Sequence, residues 1–299
     1  MSRETSTGTG KLYGLERICR VLEFPRSTVY AQQTRESAKV VPLLPQRRGP
    51  KPRLPDSDLL VAIRADLEAS PFIGEGHRKV WARLRILRDI RVSRARVLRL
   101  MHENALLSPH RRPQGDPVLH DGRITTDRPN DMWGTDGIRI ETVDEGWVWV
   151  FSAVDHFDAC CVGIHTVKTG NRFAALQPIA QGLGAEFGAT SADVARGLTL
   201  RMDHGTQYMA DDFLNQIKFL GIAPSFAFVA EPETNGVAER FNRTLKEQAI
   251  YGHIFKNVEE VRAAVNKFKD RYNRHWRLEK LGFMSPLEAR QAHAIRKAA

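Results

Sequence analysis

Apolar positions in the second half of the chain change several times between strand-like and helix-like spacing. Three apolar runs, at 136–140, 147–154 and 161–167, are separated by short turns and predict a meander of strands. The spacing that follows predicts two helices and two strands, at 172–187, 198–202, 210–220 and 223–228. Pro178 lies inside the first of these helices and is expected to kink or divide it. Residues 128–299 are therefore predicted to form one α/β domain on five strands, with a helical tail.

The first forty residues have a helical pattern of their own. Residues 15–32 predict two short helices separated by a break at 23–25. Ile18, Val21 and Leu22 predict the apolar face of the first helix. The second helix is expected to carry Arg26, Ser27 and Thr28 on its outer side. Two short helices around a tight break are typical of a helix-turn-helix, although any helical hairpin gives the same pattern.

A second helical unit is predicted over residues 58–112. Its helices begin near Asp58, at His77 and after Ser93, whose hydroxyl is placed to cap the third helix. The side chains expected to pack inside are Val80, Trp81, Leu84, Val97, Leu100 and Met101. The basic side chains expected to project outward are Arg78, Lys79, Arg83, Arg85, Arg94, Arg96 and Arg99. Such a run is usually a solvated helix face, but here few acids stand nearby to pair with the arginines.

Positive charge is concentrated in this helical half. Residues 1–127 contain 24 Lys and Arg against 14 Asp and Glu, whereas residues 128–299 contain 21 of each. Two segments that lack periodicity, 41–57 and 113–127, are predicted to be linkers. The first of them contains the basic residues Arg47, Arg48, Lys51 and Arg53. The asymmetry favours a nucleic-acid-binding first half over general solubility, which would not distribute charge so unevenly.

Composition excludes several other classes of protein. No apolar run has membrane-spanning length, and the first residues lack the apolar segment of a signal peptide, so a cytoplasmic, nucleoid-associated location is expected. The three cysteines have neither the spacing of a zinc site nor that of a disulfide framework. Cys160 and Cys161 are expected to be buried free thiols in a strand.

Three acids occupy positions that suit phosphoryl-transfer chemistry. Asp203 ends an apolar run, Asp136 lies at the start of another, and Glu239 lies in the first turn of a helix predicted from Val237. Thirty-five residues separate Asp203 from Glu239. Hard carboxylate oxygens suit Mg²⁺, but an isolated acid at such a position is ordinarily a solvated or capping residue.

The residues around these acids resemble a known family. The segments WGTDGIRI, RMDHGTQY and NGVAERFNRTLKEQ are similar, in order and spacing, to the three catalytic blocks of the retroviral-integrase-like DDE transposases. Within that superfamily the closest resemblance is to the OrfB product of the insertion-sequence-3 family. EGHRKVWARLR and VSRARVLRLMHENALLS resemble the helix-turn-helix segment that precedes the core in the same proteins, and 270–288 resembles their ending.

The resemblance implies a ribonuclease H-like core with a five-stranded mixed sheet, preceded by all-α helix-turn-helix domains. Its first and fourth strands would be adjacent and parallel, and Asp136, Asp203 and Glu239 would be the catalytic residues that hold two Mg²⁺, or Mn²⁺ in their place. The implied reaction is nicking at terminal inverted repeats followed by 3′-OH strand transfer by a homo-oligomer. In the family an upstream OrfA segment is commonly joined to OrfB. Two rivals stay open: a DNA-binding regulator with an inactive core, and a structure-selective nuclease.

Other polar residues near the three blocks are given lesser roles. Asp155 and His156 are expected to be structural or to support the metal ligands, and Asp211 and Asp212 to complement a helix dipole. Three cations on the Glu239 helix are predicted to contact DNA phosphates: Arg240, Arg243 and Lys246. Trp276 stands in the C-terminal tail without a role that its sequence context indicates.

Overall fold

The computed structural model describes residues 4–37, 53–108, 125–226 and 235–298. The chain divides into two compact units, Met1–Arg53 and Leu54–Ala299. Arg47, Arg48 and Lys51 lie outside the described residues, as do the linker at 113–124 and the end of the fifth predicted strand. Among the described helices, none combines the length and apolar character that a membrane crossing needs.

The N-terminal unit contains two helices, α1 (Leu15–Val21) and α2 (Arg26–Ser37). The predicted break between them is confirmed, but α2 continues well beyond residue 30. The predicted apolar face of α1 is wrong, because Val21 is 74% and Leu22 62% exposed, whereas Cys19 is buried. Helix α1 has only seven residues and ends at Val21, so both exposed residues lie at its C-terminal end.

The second unit begins with three helices: α3 (Asp56–Ala69), α4 (His77–Arg88) and α5 (Arg94–Glu103). Ser93 caps α5 as predicted, because its side chain accepts a hydrogen bond from the Arg96 N–H. The helices share an apolar core made of Leu59, Ile63, Val80, Leu84, Val97, Leu100 and Met101. Each helix contributes to this core at helical spacing, so the amphipathic pattern of the sequence determines how the three pack.

The prediction that Arg83 projects outward is wrong. Its guanidinium is buried and donates hydrogen bonds to both carboxylate oxygens of Asp66, the shortest being 2.7 Å from Nη2 to Oδ2. It also donates a hydrogen bond to the Glu75 carboxylate. The expectation that acids are scarce near the arginines is also wrong, because Asp66 comes from α3 and Glu75 from the loop before α4. A linear scan of charges does not detect partners that meet only when the helices pack.

Five strands form one mixed sheet in the order β3-β2-β1-β4-β5. They are β1 (Met132–Thr142), β2 (Gly146–Asp155), β3 (Cys161–Val167), β4 (Thr199–Met202) and β5 (Ala223–Phe226). The meander β1-β2-β3 is antiparallel, while β4 is parallel to β1 and β5 is parallel to β4. This is the ribonuclease H-like arrangement, and the predicted adjacency of the first and fourth strands is confirmed.

Helices cover both faces of the sheet. Helices α6 (Arg172–Phe187) and α7 (Asp211–Phe219) pack on one face, around a core that includes Trp133 and Leu200. On the other face lie α8 (Gly236–Leu245), which continues as a π-helical turn over Lys246–Ile250, and α9 (Val258–His275). Helix α10 (Pro286–Ala298) ends the described chain. As predicted, Cys160 and Cys161 are buried free thiols.

Helix α6 runs unbroken through Pro178, so this proline does not divide the helix; the alternative, a kink, stays a prediction. The helix lies close to β3 at this point, since a Cβ on Gly163 would be 1.9 Å from the carbonyl oxygen of Pro178. Packing of the helix against a glycine in the strand therefore holds the proline-containing turn in place.

The three-helix segment packs against the C-terminal part of the same unit. The rings of Phe72 and Trp276 meet edge to face with centroids 4.8 Å apart, and those of Trp81 and Phe283 with centroids 5.6 Å apart. The Gln248 side chain accepts a hydrogen bond from the Ile73 N–H and donates one to the Ile73 carbonyl. Trp276, which the sequence left without a role, is thus part of the contact between the helical segment and the sheet domain.

Candidate active site

Asp136 lies near the middle of β1, on the face that α8 covers. Its Oδ1 accepts a hydrogen bond of 2.7 Å from the Gly137 N–H, and its Oδ2 accepts one of 2.9 Å from the side-chain amide of Asn242. Burial raises the pKa of Asp136, and the negative charge of Asp203 raises it further, against the opposing effects of Asn242, Gly137 and Lys246. The carboxylate is therefore oriented from two sides and lies within electrostatic reach of a second acid.

That second acid, Asp203, follows the last residue of β4 and is exposed. In the parallel ladder Met132 pairs with Thr199 and Gly134 with Arg201. Continuing the same register by two residues places Asp203 beside Asp136. A turn fixes the Asp203 carboxylate, since its Oδ1 accepts a hydrogen bond of 2.9 Å from the Gly205 N–H. The parallel pairing of β1 and β4 thus brings together two acids that are far apart in sequence.

Glu239 lies in the first turn of α8, as predicted, and is half-buried. The start of this helix is held against β1, because Asn235 donates a hydrogen bond of 3.0 Å to the Thr135 carbonyl. At Gly134 a Cβ would lie 2.8 Å from the Asn235 side-chain oxygen and 3.4 Å from the Ala238 Cβ, so only a glycine allows this approach. The glycine in β1 therefore lets the helix that carries Glu239 pack directly on the strand that carries Asp136.

Carboxylate oxygens are the donors that Mg²⁺ prefers, and the Asp136–Asp203 pair supplies two of them from adjacent strands. The mutual repulsion that raises the pKa of Asp136 is what a divalent cation between the two acids would relieve. Among the described residues, however, no group of three or more His, Cys, Asp and Glu side chains lies close enough to hold one ion. The donor chemistry of the two aspartates fits a divalent cation.

Asp155 is a structural residue, as predicted. It is fully buried, and its Oδ2 accepts hydrogen bonds of 2.7 Å from Arg290 and of 2.8 Å from the Asn130 N–H. Burial and the nearby charge of Asp158 raise the pKa of Asp155 to about 6, while Arg290 opposes that shift. The pairing ties α10 to the end of β2, away from the Asp136–Asp203 pair.

His156, beside it, is also buried, and both of its ring nitrogens lack a hydrogen-bond partner among the described residues. Burial lowers the pKa of His156 to about 4, with further lowering by the charges of Lys280 and Arg201. The ring borders the contact between Gly134 and Asn235 at the start of α8. A neutral imidazole therefore lies behind the helix that carries Glu239.

The structure places the predicted DNA contacts in different surroundings. Arg26, Ser27 and Thr28 are exposed at the start of α2, and Arg53 is exposed as well. Arg78 and Arg94 are about half exposed, and both pair with Glu279 of the C-terminal tail, at 2.7 Å and 3.4 Å. On the Glu239 helix, Arg240 and Arg243 are exposed, whereas Lys246 is half-buried near Asp136.

Two other predicted contacts are engaged inside the protein. Lys79 lies over the Trp276 ring and 3.5 Å from Glu75, and its side chain is 13% exposed. Arg96 binds Asp56 and donates a hydrogen bond of 2.6 Å to the Leu54 carbonyl. Lys79 therefore joins the helical segment to the C-terminal tail, and Arg96 holds the start of the segment against α5.

Sequence reasoning missed Asn242, whose amide orients Asp136 and whose carbonyl oxygen accepts a hydrogen bond of 3.1 Å from the Ser152 hydroxyl. It lies in the segment NGVAERFNRTLKEQ, three residues after Glu239 and thus on the same face of the helix. Helical spacing from Glu239 was the signal that could have identified it.

Comparison with known proteins agrees with this architecture. Two family models, both described as an integrase core domain, match residues 126–232 and 220–286, and an HTH-like domain matches residues 59–114. The transposase for insertion sequence element IS629 of Shigella sonnei is 27% identical over 294 residues, which are 94% of this chain and 93% of that protein. Transposase InsD for insertion element IS2D of Escherichia coli strain K12 is 29% identical over 244 residues, 78% of each chain.

Solved structures that match this chain include an integrase core domain and a chain of a viral intasome. The catalytic core domain of BIV integrase is 21% identical with a TM-score of 0.43, covering 57% of this chain and 99% of that one. A chain of the simian T-cell lymphotropic virus intasome in complex with PP2A regulatory subunit B56 gamma is 17% identical with a TM-score of 0.46. It covers 70% of this chain and 73% of that one.

This protein is a DDE polynucleotidyl transferase of the integrase superfamily. The order of its strands, the two integrase core matches and the helical segment before them support this class. Within that superfamily the chain is similar over most of its length to insertion-sequence transposases. The resemblance stated from the sequence is confirmed.

Proposed function

We propose that this transposase binds the terminal inverted repeats of an insertion sequence, nicks the DNA at its ends and joins each exposed 3′-OH to target DNA. Asp136, Asp203 and Glu239 are its catalytic residues. The observation that supports this most directly is the approach of Asp136 and Asp203 on adjacent parallel strands, with the Glu239 helix packed on the first of them. An electrostatically coupled pair of acids beside a helix that presents a third is unusual for a protein that only binds DNA.

We assign the two Mg²⁺ of the family, for which Mn²⁺ would substitute, to these three carboxylates. When bound, such ions activate the attacking oxygen and stabilise the leaving one. The protein's own contribution is to orient the carboxylates. Asn242 and the Gly137 N–H fix both oxygens of Asp136, and the Gly205 N–H fixes Asp203. The positive charge of Lys246 acts on Asp136 and would attract a scissile phosphate placed there.

DNA binding is assigned to several surfaces. In the N-terminal helix-turn-helix at 1–40, α2 would read bases through Arg26, Ser27 and Thr28. The linker at 41–57 would follow the phosphate backbone through Arg47, Arg48, Lys51 and Arg53. The helical domain at 58–112 would contribute Arg78 and Arg94, and a second linker at 113–127 leads to the core at 128–299. Within the core, Arg240 and Arg243 would contact DNA beside the active site.

The assembly is proposed to be a homo-oligomer on DNA, because two element ends must be joined in one event. An upstream OrfA segment is a further proposed partner. The proposed location is the cytoplasm, at the nucleoid, where the DNA substrate lies.

The test uses full-length protein with Asp136→Asn, Asp203→Asn or Glu239→Gln. Each change keeps the side-chain size and removes a charge, so nicking and joining with Mg²⁺ should fall by orders of magnitude while binding to the terminal repeats is retained. Glu239→Gln is the sharpest of the three. If Glu239 only complements the helix dipole, its loss costs at most about 1 kcal/mol of stability and leaves joining nearly normal.

Glu247→Gln is the matched control, because Glu247 is an exposed acid in the π-helical turn that follows α8. It should nick and join as the unmodified protein does. Near-normal joining by Glu239→Gln would contradict the three-carboxylate mechanism. Cutting without joining by the unmodified protein would instead identify a nuclease, and binding without cutting a regulator.

A further inference from the structure

One loop of the three-helix segment reaches the helix that carries Glu239. Residues 70–76 connect α3 to α4, and we call them the docking loop. The Phe72 side chain in this loop is 5% exposed and belongs to the same apolar core as Phe241 of α8. The side chain of the next residue, Ile73, is 74% exposed. The docking loop therefore inserts the Phe72 ring into the core on which α8 packs.

A chain of aromatic rings connects Phe72 to α8. The Phe72 ring meets Trp276 edge to face with centroids 4.8 Å apart, and Trp276 stacks on Tyr272 with centroids 6.0 Å apart. Tyr272 meets Phe241 edge to face, with centroids 5.0 Å apart. Phe241 lies on α8, two residues after Glu239. A displacement of the Phe72 ring would be transmitted to α8 through these rings, because packed interiors have low compressibility.

A second contact holds the other end of the same helix. Gln248 lies in the π-helical turn that follows α8, and π-helical turns are rare and recur at functional sites. Its side chain accepts a hydrogen bond of 2.9 Å from the Ile73 N–H and donates one of 2.8 Å to the Ile73 carbonyl. Arg271 of α9 donates a hydrogen bond of 3.1 Å to the Pro71 carbonyl. The backbone of the docking loop is thus bonded to the extension of α8 and to α9.

The first two turns of α8 are held by the sheet instead. Asn235 donates a hydrogen bond to the Thr135 carbonyl on β1, and Asn242 donates one to Asp136. The sheet therefore fixes the beginning and middle of the helix, while the docking loop contacts its end. The loop adds a constraint on the helix that these bonds to the sheet do not supply.

We propose that the docking loop is a positioning element for catalysis. Through Phe72 and Gln248 it holds α8, and so fixes the position of Glu239 relative to Asp136 and Asp203. This rests on the proposed function, which makes Glu239 a catalytic residue. The loop leads directly into α4, to which a DNA contact is assigned. DNA held by the three-helix segment and the geometry of the active site are therefore connected through the docking loop.

The experiment uses full-length protein with Gln248→Leu or Phe72→Leu. The first change removes both side-chain hydrogen bonds to the loop, and the second keeps an apolar side chain but removes the ring. Hydrogen exchange over α8 should become about fivefold faster or more in both variants, because local opening of the helix then costs less. Exchange over α6, on the opposite face of the sheet, should stay unchanged.

Joining of a pre-nicked repeat end is measured with the same two variants. The kcat should fall about tenfold or more, because a small displacement of a catalytic group is costly, while the KM for DNA stays nearly unchanged. General destabilisation would raise exchange in α6 as well as in α8. A lower kcat together with faster exchange in α8 but not in α6 therefore identifies a positioning role.

Ile73→Ala is the matched control, because it shortens an exposed side chain and keeps the backbone groups that bond Gln248. It should exchange and join as the unmodified protein does. Unchanged α8 exchange in Gln248→Leu would overturn the proposal, and so would a raised KM with an unchanged kcat. If the amide variants at Asp136, Asp203 and Glu239 join normally, the proposed catalytic residues fail, while the exchange result still decides whether the loop positions α8.

Discussion

The side-chain amide of Asn242 donates a hydrogen bond of 2.9 Å to the carboxylate of Asp136, joining helix α8 to the middle of β1. The same side chain accepts a hydrogen bond from the Ser152 hydroxyl on β2. One amide therefore links the helix that carries Glu239 to both central strands. It also leaves Asp136 with a fixed orientation towards Asp203.

Replacing Asn242 should therefore affect both stability and catalysis. In Asn242→Leu a partly buried carboxylate and a buried hydroxyl each lose a partner, which should cost about 1–3 kcal/mol of unfolding free energy. Strand transfer should fall by about tenfold or more, because Asp136 loses a group that orients it. Urea unfolding and a joining assay measure the two effects. Asn266→Leu, an exposed asparagine on α9 that bonds only a backbone carbonyl, should change neither. Full activity in Asn242→Leu would exclude the orienting role.

The buried Arg83 should matter more to stability than the arginines around it. Arg83→Met leaves the carboxylates of Asp66 and Glu75 buried without their main cation, and breaking such a group typically costs about 3–5 kcal/mol. Arg85→Met, two residues further along the same helix and exposed, should cost about 0.5 kcal/mol or less. Thermal and urea unfolding of the full chain compare the two. Equal costs would mean that water reaches the Arg83 site.

Glu279 should influence DNA affinity more than stability. Its ion pairs with Arg78 and Arg94 are about half exposed, and such pairs typically contribute at most about 1 kcal/mol. Glu279→Gln should leave the melting temperature nearly unchanged. It should strengthen DNA binding and steepen its salt dependence, because two guanidiniums become available to phosphates. Glu259→Gln, which removes an exposed acid on α9, is the control. Weaker binding by Glu279→Gln would show that the ion pairs position the helical domain for DNA.

His156 should destabilise the protein as the pH falls. Its pKa is lowered to about 4 in the folded protein, by burial first and then by Lys280 and Arg201, against about 6.5 in the unfolded chain. Between these values the unfolded state binds the proton and the folded state does not, so unfolding free energy is lost as the pH falls from about 6.5 towards 4. Asp155, with its pKa raised to about 6, acts in the opposite direction in part of this range. The variant must therefore be compared with the unmodified protein at each pH.

In His156→Gln the difference in unfolding free energy from the unmodified protein should move in favour of the variant between pH 7 and pH 5. The full linkage amounts to roughly 3 kcal/mol at its limit. His275→Gln, an exposed histidine at the end of α9, should follow the unmodified protein. A constant difference across this range would mean that His156 titrates normally in the folded state.

The sequence alone determined most of the elements before the C-terminal tail, and their order. Periodicity predicted the strands at 161–167 and the helices at 77–88 and 172–187 with the bounds that the structure has. These elements bury an apolar face, and burial of a face imposes a period that can be read without a structure. The short helix α1 shows the limit of that reasoning. Its apolar residues have the spacing of a buried face, but no element within the described part of the chain covers Val21 or Leu22.

Only the tertiary structure decided which side chains meet. The spacing of Asp136, Asp203 and Glu239 suggested a site, but the approach of the two aspartates comes from the parallel register of β1 with β4. The partners of Arg83, Arg78 and Arg94 come from other elements, so a count of nearby acids did not find them. Trp276 and Asn242 gained their roles in the same way. The spacing of apolar residues reflects only the helix or strand to which each residue belongs. Contacts between distant segments depend on how helices and strands pack, and short-range periodicity carries no information about that packing.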